Sequence, residues 1–151
     1  MKGFYTYDTS VIISRGLSDF PGGTDSFLLS SIVLLELSAS AKDESQQKQI
    51  DRLFEEYAKD NSLIYPSVDE WRTAGKILFQ LAAKRRKELG GKLSKLNPGT
   101  SQRMAMDTLL AVSAKRWDAT VIVDNWSDFK LIQHYCKGLK IKKAADFFGK
   151  Q

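Results

Sequence analysis

Residues 105–129 read AMDTLLAVSAKRWDATVIVDNWSDF, and this stretch decides the fold class. Ala119 to Val123 (ATVIV) is a short β-branched run, the composition of a buried strand in a parallel sheet. Before it lies a helix expected to be capped by Thr100 or Ser101 and to run to about Trp117. After it come Asp124-Asn125 and a helix from Asp128 to about Tyr135. Asp107 stands at the head of an apolar line through Leu110, Ala111 and Ala114, so its side chain is expected to face inward.

Working outward, residues 3–7 (GFYTY) read as a first strand ending at Asp8-Thr9-Ser10, a polar break before Val11-Ile12-Ile13. Pro21-Gly22-Gly23 signals a loop. Phe27-Leu28-Leu29 reads as a second buried strand, and Ser30 or Ser31 as the cap of a helix reaching Ser40. Ile50, Leu53, Phe54 and Tyr57 define an amphipathic helix over 43–59. Leu63-Ile64-Tyr65 is a third strand. Ser67 and Glu70 have capping-box spacing for a helix that carries Trp71, Gly75, Leu78 and Ala82 and ends near Gly90-Gly91. Leu139-Lys140-Ile141 completes the set as an edge strand. Strands alternating with helices imply an α/β sandwich around a mostly parallel sheet. Residues 1–151 read as one domain without an internal repeat.

The charges are segregated. The chain has 23 Lys and Arg against 18 Asp and Glu. Residues 84–103 hold seven basic residues (Lys84, Arg85, Arg86, Lys87, Lys92, Lys95, Arg103) and one acid. Residues 130–143 hold five lysines and no acid, which leaves 11 basic and 17 acidic residues elsewhere. Two positive stretches on a mildly acidic body suit a polyanionic partner, and they equally suit solvated helix ends. A single cysteine, Cys136, the absence of a signal-peptide pattern and the lack of a bilayer-length apolar run fit a cytoplasmic protein with no membrane role.

Several chemistries drop out. His134 is the only histidine and lies beside the only cysteine, so zinc sites and Cys/His or Ser/His/Asp nucleophiles are disfavoured. Neither a Walker A pattern nor GxGxxG is present. Carboxylates at element ends remain, and in open parallel sheets ligands sit beyond the carboxyl ends of the strands. Asp8 ends the first strand, Asp124 the fourth, with Asp128 close behind; Glu36 lies early in the helix after the second strand. Each acid alone suits a structural role, with Asp8 and Asp128 as caps, Glu36 as an ion-pair partner and Asp107 near a helix start. Together they crowd one sheet edge, where carboxylates repel unless a cation compensates. An all-oxygen set suits Mg²⁺ or Mn²⁺.

The order Asp8-Thr9-Ser10, then Glu36 in SSIVLLELSAS, then Asp107 and the Asp-Phe pair Asp128-Phe129 resembles PIN-domain nucleases over nearly the whole chain. It looks most like the VapC-type toxins of bacterial and archaeal toxin–antitoxin pairs. The resemblance implies a PIN-like α/β/α sandwich with a central four- to five-stranded parallel sheet. It also implies a Mg²⁺ or Mn²⁺ site and endoribonuclease activity, with a metal-activated water attacking a phosphodiester. Asp8, Glu36 and Asp107 match its three core acids, and Ser10 a polar residue beside them. Asp128 is the favoured fourth acid, Asn125 a supporting polar residue and Asp124 the substitute. Asp8, Asp107 and Asp128 are then the metal ligands, and Glu36 positions or deprotonates the water. The expected partners are RNA, held by the basic residues of 84–103, a cognate antitoxin and a second copy in a homodimer. Trp71 and Phe79 are candidate dimer contributors, although Trp71 reads first as a core residue. A housekeeping PIN nuclease for RNA maturation or DNA flaps, or a non-catalytic nucleic-acid-binding module, are the alternative readings. A receiver-type phosphoaspartate domain fits less well, because no Asp-x-Asp follows the first strand.

Overall fold

A computed structural model describes residues 3–17, 26–88, 90 and 98–149. The loop signal at Pro21-Gly22-Gly23 and the basic residues Lys92 and Lys95 lie outside this set.

Five strands run parallel. They are β1 (Tyr5–Tyr7), β2 (Leu29–Ser30), β3 (Leu63–Ile64), β4 (Thr120–Val123) and β5 (Lys140–Lys143). β1 pairs with β4 in the register Tyr5 with Thr120 and Tyr7 with Ile122, and β4 pairs with β5. β2 pairs with β3. A bridge from Tyr5 to Phe27 joins the two groups: Tyr5 N–H donates to Ser26 O and Leu28 N–H to Tyr5 O, both at 2.9 Å. The spatial order is therefore β3-β2-β1-β4-β5. The chain builds outward from β1 in one direction and then returns to add β4 and β5 on its other side. The reversal falls between β1 and β4, and at such a switch point the flanking connections part and leave a crevice beyond the strand ends.

Helices cover the sheet. α1 (Thr9–Arg15), α2 (Ser31–Ala39), α3 (Glu44–Lys59) and α4 (Val68–Glu88) precede α5 (Pro98–Arg116). α6 (Trp126–Tyr135) and α7 (Ala144–Phe148) follow. Val121, Ile122 and Val123 are all fully buried, so β4 is covered on both faces, as a sandwich requires. Leu109, Leu110, Ala111, Val112 and Ala114 are buried around α5, which makes it a central helix rather than a surface one. α3 is the opposite case, burying only Ile50 and Tyr57.

Local signals act as expected at several boundaries. Ser30 caps α2 by accepting from Ile32 N–H at 3.1 Å. Ser67 and Glu70 close a reciprocal capping box at the start of α4, with Ser67 N–H to Glu70 Oε1 at 2.8 Å and Glu70 N–H to Ser67 Oγ at 3.2 Å. α4 ends at Glu88, and Gly90 takes φ +67°, a left-handed conformation suited to glycine.

Several expectations need correction. α5 starts at Pro98 rather than at a cap on Thr100 or Ser101, because proline is pre-set for a first helical position where its missing N–H costs nothing. Asp107 is consequently mid-helix, not near a helix start. α6 starts at Trp126, two residues before Asp128, with Asn125 at its N-cap position. Trp71 is 55 % exposed: the buried line of α4 runs through Ala74 and Ile77, and Trp71 lies on its flank. Val11-Ile12-Ile13 belongs to α1, and α7 has no counterpart among the expected elements.

Phe129 is fully buried and anchors the first turn of α6, which carries Asp128. Phe129→Ala should cost about 3–5 kcal/mol of unfolding free energy, the usual range for emptying an aromatic core site. Urea denaturation measures it; a loss below about 1 kcal/mol would mean that the α6 anchor lies elsewhere.

Candidate functional site

The backbone sets the first acid. Asp8 N–H donates to Ile122 O at 3.0 Å, extending the β1–β4 ladder one residue past β1. Asp8 is also the N-cap of α1: Oδ1 accepts from Thr9 N–H at 2.8 Å and Oδ2 from Ser10 Oγ at 2.7 Å. The capping role expected for Asp8 is thus present, and it leaves the carboxylate fixed at the switch point with 5 % of its surface exposed. A cap and a site residue are compatible here, because a carboxylate offers more lone pairs than these two donors use.

Glu36 enters from the middle of α2 and is half-buried. Thr9 Oγ1 donates to its Oε1 at 2.8 Å, tying α2 to the start of α1. Sequence reasoning assigns nothing to Thr9; its only signal is the position between Asp8 and Ser10. Asp107 is buried on α5, and among the described residues its carboxylate receives no hydrogen bond and no ion pair. Arg103 lies one helical turn earlier, on the same side of α5. Asp128 accepts from Asn125 Nδ2 at 2.5 Å, which ties the first turn of α6 to its N-cap residue. Asp124 is exposed and takes a 3.4 Å bond from Ser14 Oγ.

Electrostatics shows which acids act on one another. Asp107 is pushed up to about 8, first by burial and then by the charges of Asp8, Glu36 and Asp128, while Arg103 pulls it back. Burial also raises Asp8; its Ser10 and Thr9 hydrogen bonds oppose this, and Asp124 adds to it. Glu36 is raised by burial and by Asp8, against the Thr9 hydroxyl and Arg103. Asp107 is therefore the hub. It senses Asp128, whereas Asp124 acts on Asp8 from the exposed side.

Among the described residues, no three His, Cys, Asp or Glu side chains already enclose a point where an ion would sit. Mg²⁺ does not need such a cage, since it keeps several waters and takes one or two direct carboxylates. The donor set fits that ion class: oxygens only, and a buried Asp107 without a compensating cation at ion-pair distance among the described residues.

The basic residues divide. Lys84, Arg85, Arg86 and Lys87 are exposed at the end of α4. Lys130 and Lys143 flank the Trp126 ring, 5.6 and 5.1 Å from its centre, next to Asn125. Lys140 is instead paired with Asp118 at 2.9 Å.

No protein-family model and no curated protein sequence matches the chain. Solved structures do match its fold. A chain of the DNA-bound VapBC complex of Salmonella typhimurium aligns with a TM-score of 0.60 at 19 % identity, over 95 % of this chain and 100 % of that one. A chain of VapBC-1 from nontypeable Haemophilus influenzae gives 0.56 at 20 %, over 95 % and 99 %. VapBC2 of Rickettsia felis, bound to a DNA fragment from its promoter, gives 0.55 at 20 %, over 93 % and 98 %. The likeness establishes the fold, the PIN-like one that the sequence resemblance implies. No helix among the described residues is long and apolar enough to cross a membrane.

The raised Asp107 has a measurable consequence in metal-free protein. Between pH of about 4, where an unfolded aspartate ionises, and about 8, the folded chain holds a proton that the unfolded chain has lost. Stability should therefore fall as pH rises through that window. Asp107→Asn should flatten the slope and be the more stable protein at pH 8 in EDTA. Melting curves at pH 5 and 8 check this; equal wild-type and variant stability at both values would remove the repulsion from the site.

Proposed function

We propose that this protein is a divalent-metal-dependent endoribonuclease and the toxin of a toxin–antitoxin pair. The observation that carries the reading is Asp107: a carboxylate buried in a central apolar helix, pressed by Asp8, Glu36 and Asp128, with no ion-paired cation among the described residues. Such an arrangement is unfavourable in an apo protein and becomes favourable with a cation at hand.

In this reading Asp8, Asp107 and Asp128 hold the ion, directly or through water. Bound Mg²⁺ or Mn²⁺ supplies Lewis acidity toward a phosphodiester and lowers the pKa of water. Glu36 orients the attacking water and takes its proton. Its half-buried position and raised pKa bring it toward the range a general base needs. Thr9 fixes the Glu36 carboxylate, Ser10 fixes Asp8, and Asn125 fixes Asp128. No covalent intermediate is needed. The exposed basic end of α4, Arg103 on α5 and the Lys130–Trp126–Lys143 cluster beside Asn125 are surfaces for phosphates of the RNA strand.

The toxin assignment rests on the fold shared with chains of VapBC complexes and on the sequence resemblance. A cognate antitoxin would cover the acidic crevice; an arginine among these carboxylates would form strong charge-assisted bonds. We also place a homodimer contact on α4, where Val68, Trp71 and Phe79 are 86 %, 55 % and 68 % exposed on the side away from the core.

Purified protein should cleave RNA with Mg²⁺ or Mn²⁺ and stop in EDTA. Asp8→Asn should abolish cleavage, and Glu36→Gln should slow it by about 10²–10⁴-fold, the usual contribution of general base catalysis. Wild type should arrest growth on induction, and Asp8→Asn at matched levels should not. Active nuclease with no growth defect and no co-purifying partner would replace the toxin by a housekeeping nuclease. Metal-independent cleavage would remove the mechanism itself.

RNA binding by Asp8→Asn should weaken with salt. Neutralising Lys84, Arg85, Arg86 and Lys87 should flatten the log–log slope by roughly 0.7 for each phosphate that these side chains engage. An unchanged slope would return these residues to a solvated helix end.

A further inference from the structure

A second concave site lies away from the acids. A cavity of about 610 Å³ opens where α4, α5 and the end of α6 meet, and none of Asp8, Glu36, Asp107, Asp124 or Asp128 lines it. Lys115 and Arg116 reach it from α5, eight and nine residues beyond Asp107, roughly 12–14 Å further along the helix at 1.5 Å per residue. His134 and Lys137 enter just ahead of β5, at its amino end, whereas the acids gather past the carboxyl ends of β1 and β4.

The charges of this cavity are unbalanced. Its single acid, Glu70, is already occupied: Oε1 accepts from Ser67 N–H at 2.8 Å and lies 3.5 Å from Arg116 Nη2. Arg116 is likewise committed, donating to Tyr65 O at 2.7 Å. Lys115 and Lys137 form no ion pair or hydrogen bond among the described residues. The Lys115 arm passes close to Gly138: a Cβ there would meet Lys115 Cε at 3.3 Å. Gly138 takes φ +90°, which other residues rarely adopt, so the turn that presents Lys137 and admits Lys115 suits glycine. The Lys115 charge is felt by the buried Cys136 thiol, which it lowers against the upward effect of burial.

We infer that this cavity is a binding site for a phosphate group, held between the Lys115 and Lys137 ammonium groups with His134 at the rim. Two free point charges and a ring N–H match a compact anion with several acceptor oxygens. Ile77 and Val112 give the cavity an apolar wall, and His134 and Tyr135 stack edge to face, 4.8 Å apart, beside it. The site is independent of the nuclease reading. The phosphate belongs either to a free monoester such as a nucleotide or to a nucleic-acid strand.

The test is a ¹H–¹⁵N NMR titration of the full chain in metal-free buffer at fixed ionic strength. Inorganic phosphate and AMP should shift the Cys136, Lys137 and Gly138 amides saturably, and adenosine should not. If these amides respond to a single-stranded oligonucleotide but to neither small anion, the site takes a strand phosphate and the inference still holds. Lys115→Gln with Lys137→Gln changes two exposed side chains. This pair should bind at least about tenfold more weakly, as expected for charge-assisted hydrogen bonds. Lys137→Gln alone serves if the pair does not fold. No saturable shift with any of the three phosphates, or equal binding by the folded variant, would overturn the inference.

Discussion

Repulsion among carboxylates gathered beyond the carboxyl ends of β1 and β4 is the constraint on which the rest of this structure turns. Asp8 is fixed by the β1–β4 ladder and by its cap on α1, so it cannot retreat. Asp107 is fixed by a helix buried nearly all round. Glu36 is tied to Thr9, and Asp128 to Asn125 above the buried Phe129. A protein selected for stability alone would replace Asp107 with an apolar residue, since a buried unpaired carboxylate is among the most destabilising groups a core can hold. A cation bound beside it would offset that cost, which is the basis of the proposed chemistry.

The same logic extends to the small polar residues. Thr9, Ser10 and Asn125 each make one short hydrogen bond to a site carboxylate. The Ser10 and Thr9 bonds favour the charged forms of Asp8 and Glu36, and all three bonds fix the orientation of the oxygen that accepts them. Preorganisation of this kind lets a site act without moving its ligands when substrate arrives.

Much of this is legible in the sequence because the decisive signals are local. ATVIV announces a strand, Ser67 and Glu70 a capping box and Ser30 a helix start, and Asp8 falls at the end of the first strand so marked. What is not legible depends on contacts distant in the chain. Trp71 looks like a core residue on its own helix, but Ala74 and Ile77 are the residues that α4 buries, and α4 packs against α5 and α6. The helix that carries Asp107 looks as if it starts at Thr100 or Ser101 because Pro98 reads as a loop residue, whereas that proline is its first residue. The Thr9–Glu36 bond spans 27 residues, and nothing near Thr9 signals it. The lysines of the second basic stretch look equivalent, yet Lys140 is paired with Asp118 while Lys130 and Lys143 gather around Trp126.

Crystals of the protein soaked in Mn²⁺ offer the most direct measurement of the central claim, because manganese marks its own position by anomalous scattering. A peak bounded by the carboxylates of Asp8 and Asp107, absent from an Asp107→Asn crystal grown and soaked identically, is the expected result. An anomalous map with no peak in the crevice at saturating Mn²⁺, or a peak that survives Asp107→Asn unchanged, would contradict it.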